Sequence, residues 1–520
     1  MKRSKLLTLT ALILTMLILL TACGNPKKPD IKLSKLLADD ATPTDAQAPF
    51  TTLKEIAELS GLLLVTDEVS SAVTGTLARF VSEDGLTNYV YNISTGTVVW
   101  SGTDNETQSM SVTLGKGYTE SNSVSYFVVK ATDAKTQKVT ATTLFSQNGE
   151  MLATATGSRT VVRLSDLLIF DEKAYRCDEN ETISYAFDLP AFSSIPSYLY
   201  KKGDTYYETE DTYVTAYDGN LERIGTYHLP IHLENDGGVL CLIPLENGNI
   251  FVQYAYSADP YSDNYTFIAE DEKIILITQI VNIKKETAKT IDCNYLIAEA
   301  VNMAQELDED DGLNAKKYPV LGAGYRIENK KLSAECIVNI NNKGDISELS
   351  LLNGQQIESI QLIAQNRWIV DTATNSYLVN EDGKILGDVT SAIRNGSYFR
   401  INEKIYDSSL NLLYDYSQVT FVQTVGNAFL LKDNDGRYLL YTGGTEPIVL
   451  TDGEPENLRF GYRYLMIQKD GVWTVYNEAG TAIGTINGEV QNRYANTSNS
   501  EAFLLEVTNA EGKTVYYHLG

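Results

Sequence analysis

The chain has 520 residues and a formal net charge of −26, from 68 acidic and 42 basic side chains, with 43% hydrophobic residues. That apolar content excludes a wholly disordered chain. The acidic balance excludes a phosphate-binding footprint for nucleic acid and a polybasic grip on anionic lipid. Tyrosine is abundant, with 33 copies, whereas Trp and His have 3 each.

The N-terminus opens with the cations Lys2, Arg3 and Lys5, followed by an apolar run from Leu6 to Leu20 broken only by threonines and then by Leu20-Thr21-Ala22-Cys23. The run is short for a membrane span and ends in small residues, the pattern of a signal peptide. The Leu-Thr-Ala-Cys ending resembles the bacterial lipoprotein lipobox. The resemblance implies cleavage before Cys23 and acylation of its sulfur, an anchor stabilised by about 0.8 kcal/mol per buried CH₂. Removal of residues 1–22, with three cations and no acid, would leave the chain at −29. The expected location is the outer face of a cytoplasmic membrane, and the acidic, disulfide-poor body fits a Gram-positive cell.

Residues 23–50 read as a flexible tether. Residues 51–75 read as a short helix and a lead-in strand. Thr52-Leu53-Lys54-Glu55 has capping-box spacing, Leu53, Ile56 and Ala57 share a helical face, and Gly61 can end the helix.

From residue 76 to 520 the sequence alternates strand-like runs with turn dipeptides: Asp84-Gly85, Asn148-Gly149, Asp382-Gly383, Asp435-Gly436, Asp470-Gly471 and Glu511-Gly512. The runs at Trp368-Ile369-Val370, Tyr398-Phe399-Arg400, Phe429-Leu430-Leu431, Tyr464-Leu465-Met466 and Phe503-Leu504-Leu505 recur at a spacing of about 30 to 40 residues, a length that points to stacked supersecondary units. The expected fold is all-β, a β-propeller of seven or eight four-stranded antiparallel blades. Ten or eleven unit starts are visible, which leaves two propellers open. Tyr91 to Trp100, with Thr95-Gly96 followed by Trp100, resembles the repeat of quinoprotein-type (PQQ-like) propellers. That resemblance implies a docking role for Trp100. Lys469 to Trp473 resembles the WG repeat, with Thr474 where that repeat has glycine.

Few chemistries find support. Cys177, Cys241, Cys293 and Cys336 form no Cys-x-x-Cys pair, and free buried thiols are expected, with a Cys293–Cys336 bridge the conceivable exception. Pro230 separates His228 from His232, which breaks helical zinc spacing, and His518 stands alone. The acidic turns Asp308–Gly312 and Asp433–Gly436 lack the order of a calcium loop. No metal and no cofactor is expected. Tyr254, Tyr256, Tyr261 and Tyr265 crowd one loop-like stretch, and tyrosine joins a stacking face to a hydroxyl. These four are the candidate binding residues. The expected role is non-enzymatic binding or scaffolding by a monomer, with a protein or cell-envelope glycan as partner, the membrane reached through lipid on Cys23, and no nucleic acid. The alternative is a carbohydrate-active enzyme with paired carboxylates at a channel mouth.

Overall fold

In the computed structural model the described residues are 49–520, apart from segments 66–72, 120–122, 190–198, 231–236, 302–319, 349–351, 381–383, 408–410 and 496–502 and scattered one- or two-residue positions. Cys23, residues 23–48 of the expected tether, His232, Asp382-Gly383 and the acidic turn at 308–312 lie outside them, and Phe50, placed at the end of the tether, is instead buried in the core. The described part is all-β, with no α-helix and two single 3₁₀ turns at Ala57–Leu59 and Ile283–Lys285. None of its helices is long and apolar enough to cross a membrane.

The chain divides into two compact units, one holding mainly residues 195–392 and the other mainly residues 43–194 and 393–520. Among the described residues the strands form six four-stranded antiparallel sheets and a five-, a seven- and a nine-stranded sheet. The repeat visible in the sequence has a simple structural meaning. Trp368, Phe399 and Leu430 lie on Arg367–Asp371, Tyr398–Ile401 and Ala428–Lys432, each the second strand of a four-stranded sheet, and Leu465 and Leu504 lie on Tyr464–Lys469 and Phe503–Asn509, inner strands of one seven-stranded sheet; Ala428–Lys432 shows the common environment. Both faces of this strand are covered: Phe429, Leu430 and Leu431 are all buried, so the strand reads as a continuous apolar run rather than an alternation. The turn glycines behave as their dipeptides require. Gly85, Gly149, Gly436, Gly471 and Gly512 all have φ between +73° and +81°.

In the second unit the arrays pack face to face through apolar layers. Trp100, at the end of the PQQ-like stretch, sits on Thr97–Thr103 with its ring 6.2 Å from Phe127 and 6.4 Å from Phe145 of the following array. Gly149 lies in the same contact. A Cβ there would fall 2.2 Å from the Val99 carbonyl oxygen, so only glycine lets the turn approach.

The expected helix at residues 52–61 does not form. Leu53–Glu55 is a strand paired antiparallel with the C-terminal strand Thr514–Leu519, Leu53 opposite Leu519. Only the single turn Ala57–Leu59 follows, closed by Gly61 at φ +77°. The capping-box spacing is overridden because pairing with the C-terminal strand satisfies the backbone, and flanking groups reinforce it. Thr51 and Thr52 N–H both donate to the Gly520 carbonyl, at 3.1 and 3.0 Å. Just upstream, Phe50 is buried against Tyr464 and Phe503, its ring 5.5 Å from Phe503. Its carbonyl accepts the Asn477 side-chain amide at 2.7 Å. The Arg463 guanidinium lies 4.8 Å from the Phe50 ring and binds Glu478 through two nitrogens, at 2.9 and 3.3 Å, in a buried pair. Apolar and ionic contacts thus meet at Phe50.

Candidate functional site

The four candidate tyrosines separate into core and surface. Strand Ile250–Ser257 carries Tyr254 and Tyr256 and pairs with Glu272–Asn282, Tyr254 opposite Ile277 and Tyr256 opposite Ile275. Tyr254 is wholly buried in an apolar cluster with Tyr207, Val214, Leu242 and Val281, and burial pushes its phenol pKa up. Its hydroxyl has no hydrogen-bond partner among the described residues. Tyr256 packs half-buried on the rim of that cluster. Tyr254, wholly buried, is therefore a core residue rather than a binding one. Tyr256 keeps a partly exposed ring, and Tyr261 and Tyr265 lie in the loop that joins Ile250–Ser257 to Phe267–Ala269.

That loop arches over the end of strand Glu272–Asn282, because Ser257 and Phe267 flank Ile274 from its two sides. Its backbone is held at almost every step. Ala258 N–H donates to the Lys273 carbonyl at 2.8 Å, and Tyr261 N–H donates to the Asp259 carboxylate at 2.9 Å. Ser262 N–H reaches the Asp259 carbonyl at 2.9 Å, Asn264 N–H reaches the Ser262 hydroxyl at 3.1 Å, and Thr266 N–H closes on the Ile274 carbonyl at 2.8 Å. Asp and Ser are the residues that make such local side-chain turns.

Two lysines complete the clamp. Lys273, on the strand beneath, donates from Nζ to the Ser262 carbonyl at 2.8 Å and lies 5.1 Å from the centre of the Tyr265 ring. Lys330 comes from the tight turn between Val320–Glu328 and Lys331–Ile340, where Asn329 and Lys330 both have positive φ. Its Nζ donates to the Asp263 carbonyl at 2.9 Å and stands 3.9 Å from the same ring. The Ile268 N–H also donates to the Lys330 carbonyl at 3.1 Å. Tyr265 is thus the half-buried post to which the loop is tied, and both ammonium groups are spent on it.

Tyr261 stands at the tip, 94% exposed, the most exposed large hydrophobic among the described residues. The arrangement presents an aromatic ring with a free edge and hydroxyl on backbone that is already ordered. It offers stacking and a hydrogen bond. No group of three His, Cys, Asp or Glu side chains able to hold a metal occurs among the described residues. Sequence reading found Tyr261 but not the lysines: Lys330 is 69 positions downstream, and no local pattern ties it to the loop.

The remaining candidates have structural partners. Asp433 of the acidic turn accepts the Asp435 and Arg437 N–H groups at 3.0 and 2.9 Å and the Arg437 guanidinium at 2.7 Å. His228 is exposed, its ring 6.0 Å from Tyr213. His518 Nε2 bonds the Ile93 carbonyl at 2.8 Å. Cys177, Cys241, Cys293 and Cys336 are free thiols, the first two and Cys336 buried.

No family model matches the chain, and no curated protein matches it. Solved structures with distant similarity include a eukaryotic initiation factor (11% identity, TM-score 0.31, covering 72% of this chain and 95% of that one). Another is the dihydro-heme d1 dehydrogenase NirN (9% identity, TM-score 0.25, covering 72% and 68%). A third is the extracellular domain of a one-component system from B. thetaiotaomicron (8% identity, TM-score 0.19, covering 90% and 82%).

Proposed function

We propose that this protein is a lipid-anchored, extracytoplasmic binding or scaffold protein. Its body is read as a β-propeller with PQQ-like repeats, acting as a monomer without enzymatic activity, metal, cofactor or nucleic acid. Cys23 carries the lipid, and the loop bearing Tyr261 engages a protein or a cell-envelope glycan. The lipobox-like Leu20-Thr21-Ala22-Cys23 supports the anchor. The recurring four-stranded antiparallel arrays, and the packing of Trp100 against the array after its own, support the propeller.

The observation that carries the binding reading is Tyr261 itself, fully presented on a loop whose backbone is tied by two lysines. Pre-ordering a loop removes entropy that binding would otherwise have to overcome, and tyrosine adds contact area with few rotatable bonds. The test compares wild-type and Tyr261→Ala protein for co-sedimentation with purified cell-wall sacculi and for capture of solubilised envelope proteins. An interface centred on this ring loses on the order of 30-fold in affinity, about 2 kcal/mol, on truncation. Unchanged binding in both assays removes the loop from the account. The anchor is tested separately: Cys23→Ser should move the protein from the membrane fraction to the soluble fraction, and retention at the membrane refutes lipidation.

A further inference from the structure

Three of the four described cysteines converge in one layer of the first unit. Cys241 lies on strand Gly237–Pro244, Cys336 on Lys331–Ile340, and Cys293 in the connector between Thr287–Ile291 and Tyr295–Val301. Cys241 and Cys336 share an apolar cluster with Ile243, Phe251, Ile297 and Val338. At its polar centre is Gln253, wholly buried. Its side-chain oxygen accepts the Ile297 N–H at 2.8 Å, and its nitrogen donates to the Tyr295 carbonyl at 2.9 Å and to the Thr278 hydroxyl at 3.0 Å. The same nitrogen lies 3.8 Å from the sulfur of Cys293.

This arrangement distinguishes the three thiols. Cys293 is only half-buried; burial raises its pKa, and hydrogen bonding with the Tyr295 backbone and the Thr278 and Gln253 side chains offsets part of that rise. Its sulfur donates to the Tyr295 carbonyl at 3.4 Å. Cys241 has no such donors; burial raises it, and the neighbouring charge that adds to the rise is Cys293. Cys241 is the direct cross-strand partner of Gln253, the residue that touches Cys293. Cβ atoms of such a pair stand about 4.5–5.5 Å apart. Cys336 also feels the charge of Cys293, but only after those of Glu348 and Arg326, whereas Cys293 is the first charge acting on Cys241. The cross-strand partner of Cys336 is Gly324, which pairs in turn with Ile297, and neither of these residues touches Cys293 through a hydrogen bond as Gln253 does.

We propose that Cys293 and Cys241 form a disulfide when the protein meets a disulfide-bearing oxidant, with Cys293 reacting first. The Cys293 thiolate attacks one sulfur of the oxidant R–S–S–R, forms a mixed disulfide and releases RS⁻. Cys241 then gives up its proton and attacks the Cys293 sulfur, displacing the second RS⁻. The two protein thiols lose two electrons and two protons, and the oxidant leaves as two RSH. The product fastens Gly237–Pro244, the first strand of the nine-stranded sheet, to the connector that leads into Tyr295–Val301, its last.

The test incubates the folded full-length protein with oxidised glutathione, quenches with acid, alkylates under denaturing conditions and maps the peptides by mass spectrometry. The expected product is a Cys241–Cys293 cross-linked peptide pair, with Cys177 and Cys336 alkylated. The Cys336→Ala variant keeps that bridge, and Cys241→Ala stops at a glutathione adduct on Cys293. A Cys293–Cys336 bridge, or full alkylation of all four thiols in the wild-type protein, overturns the proposal.

Discussion

The ammonium of Lys330 stands 3.9 Å from the centre of the Tyr265 ring and at the same time donates to the Asp263 carbonyl at 2.9 Å. One side chain therefore ties a surface loop to a turn 65 positions away. A cation–π contact at such a site contributes about 0.5–1 kcal/mol and a hydrogen bond about 1 kcal/mol. Lys330→Met should therefore speed exchange of the loop amides at 261–266 by roughly ten- to thirtyfold, with the melting temperature unchanged. Hydrogen-exchange mass spectrometry checks this; an unchanged exchange rate would mean that the lysine does not order the loop.

The entry of the chain into the fold makes a second prediction. Phe50 fills a layer with Tyr464, Trp473 and Phe503, and its backbone carbonyl is used by Asn477. Phe50→Ala should cost about 3–5 kcal/mol, the usual range for deleting a buried aromatic ring. Chemical denaturation should show the loss in the midpoint of the unit that contains residues 43–194 and 393–520. Substituting exposed Tyr261 should leave that midpoint in place.

Gly149 makes a third. Its φ is +81°, and an added Cβ would meet the Val99 carbonyl oxygen at 2.2 Å. Gly149→Ala combines left-handed strain with a backbone clash and should destabilise by at least about 1–3 kcal/mol. Gly157, also at positive φ but with open space around it, should suffer only the strain when changed to Ala. Equal melting temperatures for the two variants would contradict the close approach.

His518 predicts a pH dependence. Burial lowers its pKa, more than the bond to the Ile93 carbonyl raises it. The unfolded chain therefore binds the proton more readily than the folded one. Stability is greatest above the ordinary histidine range, near 6.5, and falls as the pH drops from there through the lower folded value. His518→Gln should flatten the stability profile between pH 7 and 5, measured by urea denaturation, while the wild-type protein loses stability over that window.

The strands and turns were legible because their signals are local. Asp470-Gly471 and Glu511-Gly512 state their positive φ in two letters, and runs such as Phe429-Leu430-Leu431 state burial on both faces. Thr52 to Glu55 misled for the opposite reason. Its four residues carry helix-capping spacing, but the partner that decides their conformation is Leu519, at the far end of the chain. The same limit applied at the candidate site. Tyr254 and Tyr261 look alike in sequence, yet pairing with Ile277 on a two-sided strand buries the first, and a loop over Ile274 exposes the second. Lys330 gave no sign of its role, since a lysine in a turn is ordinarily solvated.

The reading stands or falls on whether Tyr261 touches a partner in place. A photo-reactive residue at position 261 of the full-length protein, irradiated on intact cells, measures this directly, with exposed position 224 on Arg223–His228 as the control. The account predicts a discrete cross-linked protein or glycan species from position 261 that is absent from position 224. Identical, unreacted protein from both positions would contradict it.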